Sequence, residues 1–225
     1  MDTDSGLTPS PIRVAIVDDH PALREGTAGL LARETDLEVV GVVGNLADAR
    51  EMLGSGQPVD VVVLDIRLEG ERGLDLLAEV AQGTGATAGA SRPQIVVWTA
   101  YDVPQYAAFA FRAGAAGFVL KTAPTSELVD AIRRAAAGGV HFASRPDVRT
   151  ESLTAREREV LAHLVDGLSN DEIAAAMGVI TRTVEAHLTR LYDRFDARSR
   201  TELAARAARE GWLDVPPANP VGRLR

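Results

Sequence analysis

The chain has 225 residues, of which 46% are hydrophobic and 25% charged. This length fits one large domain or two ordinary ones, and the composition excludes wholesale disorder. The chain contains no cysteine, which excludes disulfides, cysteine-ligated metals and thiol nucleophiles. The net charge of −8 belongs to the first 148 residues, so this part is a poor nucleic-acid binder by charge. A polar start and no apolar run of roughly 18 residues predict a cytoplasmic protein without membrane contact.

The first half alternates between apolar runs and helical spacing. The runs, rich in Val and Ile, are predicted as buried strands at Ile12–Val17, Val39–Val43, Val59–Leu64, Ile95–Thr99 and Gly117–Leu120. Helices are predicted at Pro21–Arg33, Leu46–Leu53, Gly73–Ala81, Val103–Ala113 and Pro124–Ala137. Strands alternating with helices form right-handed βαβ units. The predicted fold class is therefore α/β, a doubly wound five-stranded parallel sheet.

The second half has no strand pattern and is predicted as a small all-α domain. Its helices are predicted at Ala155–Asp166, Asn170–Met177, Thr181–Phe195 and Arg200–Glu210. A Gly/Ala/Ser/Thr loop is predicted at residues 82–92, and a polar, proline-containing linker at 140–150. The domains are therefore predicted at 12–139 and 151–214, between a disordered start (1–11) and a flexible tail (215–225).

Polar side chains gather at the predicted carboxyl edge of the sheet, where ligands bind in doubly wound folds. Asp18 and Asp19 follow the first strand, Asp65 the third and Lys121 the fifth, while Thr99 ends the fourth. Each Asp alone could be a helix cap or a turn residue. Several buried carboxylates together require a cation, and oxygen ligands of this kind suit Mg²⁺. With the chain's only lysine and a hydroxyl beside them, they predict a carboxylate that accepts a phosphoryl group.

Residues 12–139 resemble the receiver domain of two-component response regulators, through VAIVDDHPALREG, VVVLDIRLEGERGLDLL, VVWTAYD and AGAAGFVLKTA. The resemblance implies a flavodoxin-like fold and phosphorylation of Asp65 by a cognate sensor histidine kinase. The implied Mg²⁺ ligands are Asp18, Asp19, Asp65 and the backbone carbonyl of Arg67. The implied phosphoryl-binding and switch residues are Thr99, Phe118 and Lys121. For Phe118, a half-buried strand aromatic without a switching role is the alternative.

The loop Leu68–Glu71, after the expected phosphoacceptor, departs from the family pattern because it lacks the proline that receivers often carry there. This change leaves the acidic cluster intact. It predicts altered kinase docking or an altered lifetime of the phosphorylated state.

Residues 153–213 resemble the LuxR-type DNA-binding domain of the NarL/FixJ family, through LTAREREVLAHLVDGLSNDEIAAAMGVITRTVEAHLTRLYDRF. The residues themselves predict a helix-turn-helix, with a turn at Gly178 and a second helix capped by Thr181 that enters the major groove. The candidate contacts to double-stranded DNA are Arg182, Thr183, Glu185, Ala186, His187, Thr189, Arg190 and Arg194. The arginines are expected at phosphates.

Glu185 stands where the family commonly has Lys, so it predicts weak affinity for one domain and the ability to accept a hydrogen bond from cytosine. For His187, a packing role is as plausible as a base contact. The resemblance implies that the last helix is the surface of a homodimer formed on activation.

Together the halves predict a DNA-binding transcriptional regulator, not an enzyme, switched by phosphorylation of Asp65. One alternative is a regulator with an atypical receiver that works without phosphorylation. Another is an Asp-nucleophile phosphatase, which needs an acid two residues after the nucleophile, where this chain has Arg67.

Overall fold

The computed structural model describes residues 10–83, 92–143, 153–209 and 211–213. The predicted disorder at residues 1–9, most of the loop at 82–92, the linker from 144 and the tail at 215–225 lie outside the described residues. The described residues belong to two compact units, an N-terminal α/β unit and a C-terminal helical unit.

Eight strands lie in the described parts of the chain: β1 (Ile12–Val17), β2 (Leu37–Val43), β3 (Val61–Leu64), β4 (Arg67–Leu68), β5 (Glu71–Arg72), β6 (Gln94–Thr99), β7 (Gly117–Leu120) and β8 (His141–Phe142). Six of them form one parallel sheet in the order β2-β1-β3-β6-β7-β8. The short β4 and β5 form a separate antiparallel hairpin directly after β3. All five predicted strands are present, with starts that differ by at most two residues.

The sixth strand, β8, corrects the predicted five-stranded sheet and lies inside the predicted linker. The amide of His141 donates to the carbonyl of Ala116 at 2.7 Å, and Phe142 pairs with Phe118. Gly117 permits this approach, because a Cβ there would lie 3.3 Å from the His141 carbonyl oxygen. Two residues are too few to show strand periodicity, so the sequence pattern does not reveal β8.

Five helices lie before residue 140: α1 (Pro21–Leu31), α2 (Leu46–Gly54), α3 (Gly73–Gln82), α4 (Pro104–Arg112) and α5 (Thr125–Ala136). Four follow in the C-terminal unit: α6 (Ala155–Val165), α7 (Asn170–Met177), α8 (Thr181–Phe195) and α9 (Arg200–Arg209). Thr154 and Ser169 begin α6 and α7 with reciprocal capping boxes. The predicted cap at Thr181 is wrong, since Ile180 is the N-cap of α8.

Each unit has its own apolar core. In the first, buried valines of β1, β3 and β6 pack with Leu128 and Ile132 of α5. In the second, Leu161, Val184 and Leu188 join α6 and α8. Among the described residues, no helix is both long and apolar enough to cross a membrane. The first core leaves the carboxyl ends of β1, β3, β6 and β7 side by side at one edge of the sheet.

Candidate phosphoacceptor site and nucleic-acid interface

The central feature of this edge is a buried ammonium group shared by two carboxylates. The Nζ atom of Lys121 lies 2.5 Å from Oδ2 of Asp65 and 2.7 Å from Oδ2 of Asp18. All three side chains are buried, that of Lys121 being 8% exposed. The amide of Lys121 also donates to the Thr99 carbonyl at 2.7 Å, which joins the ends of β6 and β7. The structure thus brings together four of the residues predicted from strand ends.

Burial dominates the electrostatics of this group. It raises the pKa of Asp65, although the hydrogen bond and charge of Lys121 and the Arg67 amide oppose the shift. For Lys121, burial is the largest influence and lowers the pKa. The hydrogen bonds and charges of Asp18 and Asp65 outweigh it, so the pKa of Lys121 is raised. The buried pair of carboxylates therefore depends on a neighbouring cation.

Asp19 and His20 complete an oxygen-rich cluster. One ligand atom each from Asp18, Asp19, His20 and Asp65 lies within 4.8 Å of the others. Oδ2 of Asp18 and Oδ1 of Asp19 are buried. The first lies 2.7 Å from the Lys121 ammonium and the second 2.7 Å from Nδ1 of His20, so each oxygen keeps a lone pair for a further partner. Buried carboxylate oxygens with free lone pairs fit a hard divalent cation such as Mg²⁺.

An open cavity of about 490 Å³ gives access to the cluster. Its lining residues are Asp19, His20, Leu23, Asp65, Arg67, Leu68, Glu69, Ala100, Tyr101 and Lys121. The amide of Arg67 donates to Oδ1 of Asp65 at 3.3 Å, so Arg67 adjoins the cluster. Its guanidinium lies 4.8 Å from the centre of the Tyr101 ring, at the rim of the cavity.

Two residues that sequence reasoning missed hold the loop after Asp65 in place. A Cβ at Gly73 would collide with the carbonyl oxygen of Asp65, so only glycine fits there without movement. Glu71 accepts a hydrogen bond from the Leu46 amide at 2.9 Å, which ties the β4–β5 hairpin to the start of α2. The glycine at the start of α3 was the available signal, whereas nothing in the sequence indicated the partner of Glu71.

Thr99 is the last residue of β6, and Phe118 lies on the neighbouring strand β7. Thr99 is fully buried, and its Oγ1 accepts a hydrogen bond from the Tyr101 amide at 3.3 Å. Phe118 is buried, so the half-buried alternative does not describe its position. Beside it on β8, Phe142 makes an edge contact with Phe111 of α4, with ring centres 5.3 Å apart.

The C-terminal unit presents α8 to solvent along one face. Its exposed candidate contacts are Arg182, Glu185, Ala186, Thr189 and Arg190, whereas Thr183 and His187 are partly buried. The Thr189 hydroxyl donates to the Glu185 carbonyl at 3.0 Å. The packing of α8 on its neighbours leaves this face open, as expected for a helix that reads DNA.

Arg194 differs from the other candidates because it is 18% exposed and lies 3.3 Å from the Glu157 carboxylate. Glu157 also accepts from the amide and hydroxyl of Thr154 at 2.9 and 2.8 Å. Burial raises the pKa of Glu157, but these hydrogen bonds and the charge of Arg194 outweigh it and lower the pKa. The T-x-x-E spacing in the sequence indicates the capping box of α6. Nothing in the sequence indicates the contact between Glu157 on α6 and Arg194 on α8.

Comparison with known proteins agrees with this geometry. Residues 14–133 match the response regulator receiver domain, and residues 151–207 match the bacterial regulatory proteins of the luxR family. The chain is 34% identical over 210 residues to the transcriptional regulatory protein UhpA of Salmonella typhimurium, covering 89% of this chain and 100% of UhpA. It is 34% identical over 204 residues to the nitrate/nitrite response regulator protein NarP of Escherichia coli, covering 85% and 92%.

The solved structure of the Salmonella typhimurium RcsB response regulator shares the fold, with a TM-score of 0.64 over 88% of this chain and 99% of that one, at 19% identity. The fold and the matches define a two-component response regulator with a DNA-binding domain. Within that class, the chain belongs to the NarL/FixJ family of transcriptional regulators, which carry a LuxR-type helix-turn-helix.

Proposed function

We propose that a sensor histidine kinase phosphorylates Asp65 and that this event controls DNA binding by α8. The observation that carries the proposal is the buried Lys121 ammonium, 2.5 Å from the Asp65 carboxylate at the floor of an open cavity. A cation in this position attracts a phosphoryl group to the carboxylate that receives it.

The chemistry is a transfer between two side chains. One Asp65 oxygen attacks the phosphorus of the kinase's phosphohistidine, an O–P bond forms, and the P–N bond breaks with its electron pair left on the imidazole. The Lys121 ammonium then pairs with phosphoryl oxygens, and the Thr99 hydroxyl donates to one of them. We assign Mg²⁺ to Asp18, Asp19, Asp65 and the Arg67 carbonyl. When bound, Mg²⁺ neutralises the carboxylates and the entering phosphoryl oxygens.

The switch is proposed to run from Thr99 to Phe118. A Thr99 hydroxyl drawn towards the phosphoryl group leaves space that the Phe118 ring occupies, and this stabilises one arrangement of β7. Phosphorylation shifts the equilibrium towards that arrangement only by the amount of free energy by which it stabilises that arrangement over the other one. The altered face then forms a homodimer on DNA, for which α9 is the proposed surface in the C-terminal unit.

For DNA contact, we assign phosphates to the exposed Arg182 and Arg190. Glu185, Ala186 and Thr189 are assigned to base edges, with Glu185 accepting from a cytosine amino group. Thr183 and His187, being partly buried, support the helix and reach DNA only at the edge of this face. Arg194 contacts phosphate only if its guanidinium leaves Glu157, so its main role is to hold α8 against α6.

The partners are the cognate kinase, double-stranded DNA and a second copy of the chain, and the protein acts in the cytoplasm without membrane contact. Turnover of phosphate esters is not expected, because Arg67 replaces the acid that an Asp-nucleophile phosphatase uses. A turnover assay on a generic phosphate ester separates these two readings.

The test compares the wild type with Asp65→Asn in Mg²⁺, with acetyl phosphate as donor and with beryllofluoride as a phosphoryl mimic. We expect the wild type and the control Asp60→Asn, but not Asp65→Asn, to gain the mass of one phosphoryl group from acetyl phosphate. With either reagent, the same two proteins should dimerise and bind DNA more tightly. Asp60→Asn is the matched control, because Asp60 precedes the same strand at its other end and pairs with Arg13 at 2.6 Å. A wild type that neither dimerises nor changes its DNA affinity would support the phosphorylation-independent alternative.

A further inference from the structure

Ile180 has the most exposed side chain among the large hydrophobic residues that the structure describes. Its relative exposure is 70%, compared with 61% for Val140 and about 40% for the others. It stands immediately before α8, the helix assigned to DNA. An isolated apolar side chain on a surface is ordinary in itself, so the meaning of Ile180 depends on its position.

That position is unfavourable for helix stability. Ile180 is the N-cap of α8, and its side chain accepts no hydrogen bond from the first turn. The two preceding helices of the same domain begin with Thr154 and Ser169, each in a complete capping box. Ser, Thr, Asp and Asn are strongly preferred as caps over Ile. Helix stability therefore does not explain why Ile occupies this position. A contact with another molecule would explain it.

The surroundings of Ile180 favour a nucleic acid as that contact. The first turn of α8 contains no acidic residue, and the exposed Arg182 is its charged side chain. The carboxylate of Asp171 in α7 accepts a hydrogen bond from the Thr181 hydroxyl at 2.7 Å. Positive charge and backbone N–H groups without an intrahelical acceptor attract phosphate to a helix N-terminus. This attraction places the DNA major groove next to the first turn of α8.

We propose that Ile180 contacts the C5-methyl group of a thymine in the major groove and thereby helps to set the operator sequence. The N-terminal residues of a helix-turn-helix reading helix meet base edges, and an apolar side chain there recognises the thymine methyl group. This inference rests on the DNA-binding function proposed above. It adds a specificity-determining residue to the candidate contacts predicted from the sequence.

The experiment uses the full chain with Mg²⁺ and beryllofluoride. Duplexes that bind are first selected from a random pool, and each thymine of a selected duplex is then replaced by deoxyuridine, which removes the methyl group alone. We expect one position in each half-site to lose affinity about fourfold, which corresponds to roughly 0.8 kcal/mol for one buried carbon group.

Variants assign that loss to the side chain. Ile180→Ser should bind the thymine duplex about fourfold more weakly, show no further loss with deoxyuridine, and melt at a higher temperature because serine caps α8. Ile180→Val should keep the sensitivity to deoxyuridine. Val140→Ser, an exposed β-branched residue outside the helix-turn-helix, is the control and should change neither DNA affinity nor the response to deoxyuridine.

Two results overturn the inference, and they are distinguishable. If the wild type binds a selected duplex but tolerates deoxyuridine everywhere, or Ile180→Ser stays equally sensitive, Ile180 does not read thymine. If the wild type retains no duplex from the pool in either state, the proposed DNA-binding function fails and this inference fails with it. The wild-type deoxyuridine scan needs no variant, so a misfolded Ile180→Ser would not prevent a decision.

Discussion

Replacing Lys121 with methionine removes the ammonium that Asp18 and Asp65 share but keeps a long side chain. Two unit charges about 2.6 Å apart attract by about 6 kcal/mol at an effective dielectric constant of about 20. Desolvation of the buried groups offsets much of this attraction, and removing one partner of a buried pair typically costs about 3–5 kcal/mol. We therefore expect Lys121→Met to lower the free energy of unfolding by about 3–5 kcal/mol at pH 7 without divalent cations.

Arg133→Met is the matched control. Arg133 also bridges two carboxylates, those of Glu34 and Asp36, at 2.7 Å each, but its side chain is 40% exposed. Exposed ion pairs contribute about 0.2–1 kcal/mol each, because water already solvates both charges. The expected loss is thus at most about 2 kcal/mol, and the comparison isolates burial as the cause.

The assay is urea unfolding followed by the fluorescence of Trp98, whose ring centre lies 5.2 Å from the Lys121 ammonium. A Trp212→Phe background removes the chain's other tryptophan.

Burial already raises the pKa of Asp65, and losing Lys121 raises it further. A carboxyl with a raised folded-state pKa stabilises the fold at low pH and loses that contribution as pH rises. The difference in free energy of unfolding between the wild type and Lys121→Met should therefore become smaller towards pH 4. It should also become smaller when Mg²⁺ is added. Equal losses in both variants, or a loss below about 1 kcal/mol for Lys121→Met, would refute the reasoning.

Two further predictions concern residues that hold the site and the reading helix. Gly73→Ala should lower the free energy of unfolding by about 1–3 kcal/mol and slow phosphorylation by acetyl phosphate, since the added Cβ displaces the Asp65 carbonyl. Gly29→Ala, where a Cβ meets open space, should do neither, and similar losses in the two variants would contradict this. Glu157→Gln should destabilise the helical unit by about 1–2 kcal/mol at pH 7 in urea unfolding. Because the folded-state pKa of Glu157 is lowered, its contribution is present above the unfolded pKa and is lost as pH falls through the folded one. A difference from the wild type that persists well below pH 4 would argue against this role, and Glu172→Gln, in an exposed capping box, should have a smaller effect.

The sequence by itself determined the fold class and which polar side chains meet at the candidate site. Continuous Val and Ile runs between helical segments predict a buried parallel sheet, because strands covered on both faces need apolar side chains at every position. The carboxyl ends of parallel strands meet at one edge. Asp18, Asp65 and Lys121 were therefore predicted to converge although 56 residues separate the last two.

Tertiary structure alone decided the features that depend on close approach between distant segments. The pairing of β8 with β7 involves only two residues of β8. Glycine is required at position 73 only because the first residue of α3 packs against the Asp65 carbonyl oxygen. Arg194 is a solvent-facing cation by sequence pattern, yet Glu157 of another helix holds it. Local sequence sets periodicity and chain direction, whereas the space around a side chain and the charge beside it depend on packing between elements.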